Sequence, residues 1–286
     1  MPTPTPQDLD FVIHVMYPAA SAAYLIMSLP QPPLLLPQGF TLVGPIMADP
    51  VRAAHVMAQA PPDQQRIPNG MVSESSIFGL VAWNAATRTA LVAIRGTKTI
   101  WDWLGDFDAA PVAWFADSGA GLVHMGFQLV YEHICASLRD LLHTGCPGVQ
   151  RILVTGHSLG GAVAVLAGYD ILKQAGFGVT PEVYTFAGPR TGAPDFVGHL
   201  NGGIPVCCRV VNFMDVVPQV PVPPLYQHPG QEIVVHGGFR PLDVTYAHHL
   251  TTYLNGLQQL RQASPAPAAP EVPAAAQALE AVGATP

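Results

Sequence analysis

Residues 151–175 pass from the apolar stretch RILV through TGHSLGG into AVAVLAGYDILKQA, so a strand pattern becomes a helical one across one serine set between Gly156 and Gly160. Nothing else in the chain restricts its architecture as tightly. In so sharp a turn, side chains two positions before and after the serine would collide with neighbouring backbone, and glycine is needed at both. The hydroxyl then projects from the carboxyl end of the strand. There a helix N-terminus favours developing negative charge, and the N–H of Leu159 can face an oxyanion. GxSxG alone carries little weight, because glycine and serine are common turn residues. The flanking strand and helix give it meaning.

Patterns of the same kind flank it. IFGLVA (77–82), a turn at WNAATR and TALVAI (89–94) read as a hairpin. GFQLVYEHICASLRDLL (126–142) places Phe127, Val130, Ile134, Leu138 and Leu141 at helical spacing, with Gly145 beyond as a stop. After a strand at 151–155 and a helix expected over 159–175, ended by Gly176, come strands at 182–186, 206–212 and 232–236. This alternation predicts the α/β class, with a mostly parallel central sheet and helices on both faces. Phe11–Leu29 is the one candidate membrane span. It contains His14 and Pro18 and follows Asp8 and Asp10 rather than basic residues, which predicts a core-facing helix instead of a signal or anchor. One domain is expected over 1–262, followed by an Ala/Pro-rich, nearly uncharged flexible extension at 263–286.

Charge removes some functions from consideration. Only 11% of the 286 residues are charged, the net charge is −7 and no run of Lys or Arg occurs. Such a chain has no electrostatic footprint for nucleic acid; with 49% apolar residues, an apolar or neutral partner fits better. Cys135, Cys146, Cys207 and Cys208 show no metal-ligand spacing, and neither a metal nor an organic cofactor is implied. Cys207 and Cys208 should point to opposite faces of a strand, while a Cys135–Cys146 disulfide is left open.

A lone serine hydroxyl is a poor nucleophile at neutral pH and needs a base, together with a carboxylate to orient it. In this class of turn the acid and then the histidine follow the serine along the chain. Asp215, between RVVNF and VVPQVPVPP, stands where a strand-end loop would hold a carboxylate. Asp195 in GAPDF fits a surface helix better, and Asp243 is a weaker third. For the base, YAHHLTTYL supplies His248 and His249, with His228 and His236 as alternatives. Lone histidines are usually solvated surface residues, but an adjacent pair after the last strand, in the required order, favours a functional role.

Six stretches in sequence order, LVAIRGTKTIWDWLGDF, VHMGF, ILVTGHSLGGAVAVLAG, VYTFAGPRTG, RVVNFMDVVPQVP and HHLTTYL, carry a wider similarity. From about Asp8 to Leu260 the chain resembles the class 3 (fungal-type) triacylglycerol lipases of the α/β-hydrolase fold. The resemblance implies Ser158 as nucleophile, Asp215 as the orienting acid and His248 as base, the last assigned from Tyr253 lying five residues on. It implies that Thr97, after the RG of AIRGT, completes an oxyanion hole with the N–H of Leu159. It further implies a lid near 99–107 carrying Trp101 and Trp103 against substrate, a bracing role for His124, and the secreted location usual among such enzymes, although the chain shows no clear secretory signal.

The expected function is that of a serine carboxylester hydrolase acting on lipid-like or water-insoluble esters at a lipid–water interface, without a stable protein partner. A phospholipase A1 or an acyltransferase would use the same triad. From another class, the rival is a non-catalytic binder of hydrophobic ligands.

Overall fold

The chain opens with α1 (Pro6–Phe11), whose first turn is closed by a reciprocal capping box between Thr5 and Asp8. Val12–Met16 continues as a π-helix before α2 (Tyr17–Leu25). Pro18 accounts for the wider turn: proline offers no N–H and its ring would strike the carbonyl four residues earlier, a clash that a π-bulge relieves. These helices form the core-facing N-terminal segment expected from the sequence. The structure, a computed structural model, describes residues 4–27, 34–49, 77–97, 110–173, 176–241, 243 and 245–264. The expected lid at 99–107, with Trp101 and Trp103, and most of the C-terminal extension lie outside the described residues.

The strands and remaining helices follow in alternation. They are β1 (Thr41–Met47), β2 (Ile77–Asn84), β3 (Thr89–Ile94), β4 (Pro111–Ala113), β5 (Leu122–His124), α3 (Met125–Gly145), β6 (Arg151–His157), α4 (Leu159–Lys173), β7 (Glu182–Phe186), α5 (Pro194–Gly203), β8 (Cys207–Asn212), β9 (Gln231–Val235) and α6 (Leu250–Ala263). The central sheet has the order β1-β2-β3-β6-β7-β8-β9. It is antiparallel across β1, β2 and β3 and parallel from β3 to β9. β4 and β5 pair separately.

The α/β architecture with a mostly parallel sheet is the one the alternation predicts. β1, β4 and β5 are additions that the sequence pattern did not announce. β1 contains Pro45, which cannot donate to a ladder and is tolerated because β1 lies at the sheet's edge. α6 reaches Ala263, the first residue assigned above to the extension.

Side chains alternate across the parallel strands as the pleat requires. Ile152, Val154, Val92 and Ile94 face α3 and α4 in one core, while Leu153, Leu91 and Ala93 face α1, α2 and α6 in the other. Cys207 joins the first core and Cys208 packs against the second, on opposite faces as expected, and none of the four cysteines is in a disulfide. α4 is buried on every side from Leu159 to Ile171, as its nearly unbroken apolar sequence requires. Its one buried acid, Asp170, accepts from Tyr131 Oη at 2.7 Å and from Arg139 Nε at 2.8 Å. Removing Arg139 would leave that carboxylate uncompensated, at a cost of about 3–5 kcal/mol. Among the described residues, no helix is long and apolar enough to cross a membrane, and no group of His, Cys, Asp and Glu could hold a metal ion.

Two glycines of this framework make opposite demands. A Cβ on Gly160 would lie 2.3 Å from the Ile94 carbonyl oxygen, whereas a Cβ on Gly198, in the exposed middle of α5, would meet nothing within 4 Å. Gly198→Ala should therefore raise the unfolding free energy by about 0.5–1 kcal/mol through helix propensity. Gly160→Ala should lower it by about 1–3 kcal/mol, because backbone must move. Urea denaturation with an unchanged m-value would measure both; an equal effect of the two substitutions would contradict the close approach at Gly160.

Candidate active site

β6 is the central strand of the seven, and its last residue leads directly into Ser158. Ser158 has φ +61°, a left-handed conformation unfavourable for a residue bearing a Cβ. Its N–H donates to the Phe186 carbonyl at 2.9 Å and its own carbonyl accepts from Gly161 N at 2.8 Å, so neighbouring backbone holds the strained turn. A Cβ on Gly156 would lie 2.1 Å from the Gly160 carbonyl oxygen. Both glycines of the motif are thus required by close backbone contact, as the sequence argument held. The turn leaves Ser158 at the N-terminus of α4, beside Leu159.

The end of β3 approaches from the other side. A Cβ on Gly96 would lie 3.0 Å from Ser158 Cβ, and Thr97 follows immediately. The half-buried Thr97 therefore stands next to the serine turn, alongside the first residue of the helix. Main-chain donors and a hydroxyl gathered at a helix N-terminus form an environment suited to negative charge.

Asp215 and His248 come together although 33 residues separate them. His248 Nδ1–H donates to Asp215 Oδ2 at 2.7 Å. The same oxygen accepts from Tyr253 Oη at 2.6 Å, and Oδ1 accepts from Val217 N at 3.0 Å. Asp215 is only 3% exposed. Burial acts to raise its pKa, but the His248, Tyr253 and Val217 donors outweigh it and hold the carboxyl below its ordinary value. His248 Nε2 is buried without a hydrogen-bond partner among the described residues. The His248 ring lies 4.7 Å, centroid to centroid, from that of His157, the residue preceding Ser158. A carboxylate, an imidazole with one nitrogen uncommitted and a strained serine thus share one end of the sheet.

The other candidates are elsewhere. Asp195 is exposed in the first turn of α5, as expected, and Asp243 accepts from the Thr245 hydroxyl at 2.6 Å. His228 is committed to the Pro218 carbonyl and His236 packs on Phe213. His249 is exposed at the N-cap of α6, one residue past the short 3₁₀ turn Tyr246–His248. Buried His124 stacks on Phe127 and adjoins Tyr226, a packing position.

Sequence reasoning missed Asn212, which ends β8. Its amide donates to the Ala247 carbonyl at 2.8 Å and to that of Gly238 at 3.3 Å, and accepts from Gly237 N at 3.1 Å. The strand carrying Asp215 is thereby tied to the residue before His248. An asparagine closing the apolar run CCRVVN was the available signal. Tyr253 served only as an alignment marker; its hydroxyl is a third donor to Asp215.

Burial depresses three histidines here, lowering His157 from the ordinary 6.5 to about 3, His228 to about 3 and His124 to about 4. In the unfolded chain each binds a proton near 6.5, whereas the folded chain refuses it. Stability is therefore complete above that pH and falls as pH drops toward the folded values, by up to about 1.4 kcal/mol per pH unit for each histidine. Urea unfolding between pH 7 and pH 5 should give a slope corresponding to about two to three protons taken up on unfolding. A flat profile would mean that these rings charge in the folded state.

With this geometry in place, comparison with known proteins places the chain. Residues 91–224 match the family model for class 3 lipases. The chain is 31% identical over 180 residues to the secreted mono- and diacylglycerol lipase 1 of Fusarium solani, covering 61% of this chain and 51% of that protein. It is 28% identical over 211 residues to phospholipase A1-II 6 of Oryza sativa subsp. japonica, covering 61% and 51%. The chain spans about half the length of these curated relatives. Among solved structures, the Lip2 lipase of Yarrowia lipolytica shares the fold with a TM-score of 0.59 at 22% identity, covering 82% of this chain and 81% of that one. Residues 91–224, which hold the serine turn and Asp215, are thus similar to the class 3 lipases, and the chain carries the α/β-hydrolase fold.

Proposed function

We propose that the chain is a serine carboxylester hydrolase acting on lipid-like esters, with Ser158, His248 and Asp215 as its triad. The observation that carries this reading is the His248 imidazole, bound through Nδ1 to a buried carboxylate with Nε2 uncommitted, packed on the residue that precedes a left-handed serine. Bound this way, His248 presents its Nε2 lone pair and takes the Ser158 proton as Oγ attacks the ester carbonyl. Asp215 stabilises the resulting imidazolium. The oxyanion is received by the Leu159 N–H with Thr97. His248 then returns the proton to the leaving alcohol, leaving an acyl-serine. Water, deprotonated by the same histidine, releases the acid and restores the serine.

The substrate class is supported by the apolar surface beside the acid. Phe213, Met214 and Val216 flank Asp215 at 65%, 43% and 57% exposure, and Val222 and Leu225 follow in the next loop. Apolar patches of this kind favour a partner that is itself apolar. A second reading, phospholipase A1 activity, is favoured by the rice relative of that name. Assays with a diacylglycerol and a diacylphosphatidylcholine of the same acyl chains separate the two readings, and added alcohol reveals acyl transfer.

Ser158→Ala and His248→Ala should each lower kcat by roughly four to six orders of magnitude on p-nitrophenyl butyrate, and the double variant should be no worse, because nucleophile and base act as a unit. His249→Ala should stay near wild type. Full activity in His248→Ala, or loss of activity in His249→Ala alone, would move the base to the neighbouring residue.

Thr97→Val keeps the side chain's shape and removes its hydroxyl. Losing one oxyanion donor costs roughly a hundred- to a thousandfold in kcat, and with the backbone N–H retained a fall near the lower figure is expected. Steady-state kinetics with KM unchanged would check it. An unaltered kcat would take the hydroxyl out of the oxyanion hole.

A further inference from the structure

A polar chain outside the triad crosses the site from the end of β3 to the backbone of His248. Gly96 N–H donates to Tyr24 Oη at 3.0 Å. Tyr24 Oη and His157 Nδ1 are 2.8 Å apart, and His157 Nε2 lies 2.9 Å from the His248 carbonyl oxygen. The two ends determine every proton between them. Gly96 N–H can only donate and the His248 carbonyl can only accept, so His157 carries its proton on Nε2 and takes the Tyr24 hydroxyl proton at Nδ1. That arrangement needs a neutral His157, and burial keeps it so.

The chain links the parts whose separation matters most. Gly96 immediately precedes Thr97, His157 immediately precedes Ser158, and the last acceptor is the main chain of His248 itself. A Cβ on Gly96 would come within 2.5 Å of Tyr24 Oη and 2.8 Å of the His157 carbonyl oxygen, so these segments already stand at backbone contact. Asp215 holds the His248 ring, while His157 holds the His248 main chain.

We propose that Tyr24 and His157 are positioning residues of the ester-hydrolase reaction, fixing the oxyanion strand end and the base at a set distance across Ser158 through one directed hydrogen-bond chain. The proposal rests on the function argued above. Tyr24 belongs to α2, so the N-terminal helices complete the site instead of only covering the sheet.

Tyr24→Phe keeps the ring and removes both links made by the hydroxyl. Small misplacements of reacting groups cost up to about a hundredfold in rate. Tyr24→Phe and His157→Leu should therefore lower kcat by roughly tenfold to a hundredfold with KM little changed. His157→Gln, whose amide N–H can still reach the His248 carbonyl, should recover most of the loss. If His157→Leu fails to fold, Tyr24→Phe and His157→Gln carry the test. A lower melting temperature with kcat within about twofold of wild type would overturn the proposal, as would His157→Gln no better than His157→Leu.

Wild-type protein that turns over no ester would sink the hydrolase reading and not this geometry. In that event the downfield proton of the His248–Asp215 bond, read by NMR, decides. Its displacement in Tyr24→Phe supports positioning of His248, and an unmoved signal refutes it.

Discussion

The close approach of three backbone segments around Ser158 is the constraint on which the rest of the molecule depends. Gly96, Gly156 and Gly160 each stand where a Cβ would come within 3 Å of neighbouring atoms, and Ser158 itself is held left-handed. Such strain persists only where surrounding structure over-determines it. Here it is supplied by a central parallel strand, a helix buried on every side and the Phe186 carbonyl that accepts the serine N–H. Because packing is tight on both faces of β6, the turn cannot relax without unpacking two cores. That rigidity holds the Ser158 hydroxyl, a helix N-terminus and Thr97 together.

A second consequence of this density is that polar groups at the site must find partners inside the protein. Buried Asp215 collects three donors, and Asn212 uses both ends of its amide. His157 is spent on Tyr24 and His248. Unpaired, each would cost about 1–3 kcal/mol or more; paired, each fixes a neighbour's position. His248 Nε2 departs from this rule among these groups, and it is the atom a general base needs free. One nitrogen of the ring is thus paired and the other left open, as the proposed role of His248 requires.

Outside this rigid centre the surface is unusually apolar. The loops after β8 expose Phe213, Met214, Val216, Val222 and Leu225 beside a site whose deeper groups are buried. With only 11% charged residues in the chain, little competes with apolar contacts there. The contrast between a preorganised polar core and an apolar border is what the proposed hydrolysis of a water-insoluble ester would require.

The fold class, the serine turn and the order of the candidate acid and histidines are legible in the amino-acid sequence. Those are local matters: period-two and period-3.6 patterns select strand or helix, and only glycine fits where backbone crowds backbone. It also put Asp215 at a strand end and left two adjacent histidines. Only the tertiary structure tells their surroundings apart, because a 3₁₀ turn ending at His248 sends that ring inward to Asp215 and leaves His249 exposed at the helix cap. It likewise brought Tyr24, 133 residues before His157, into the site, and tied Asn212 to Ala247. No spacing rule could reveal these contacts. They join segments remote in sequence, through hydrogen bonds that exist only once both cores have closed the sheet between them.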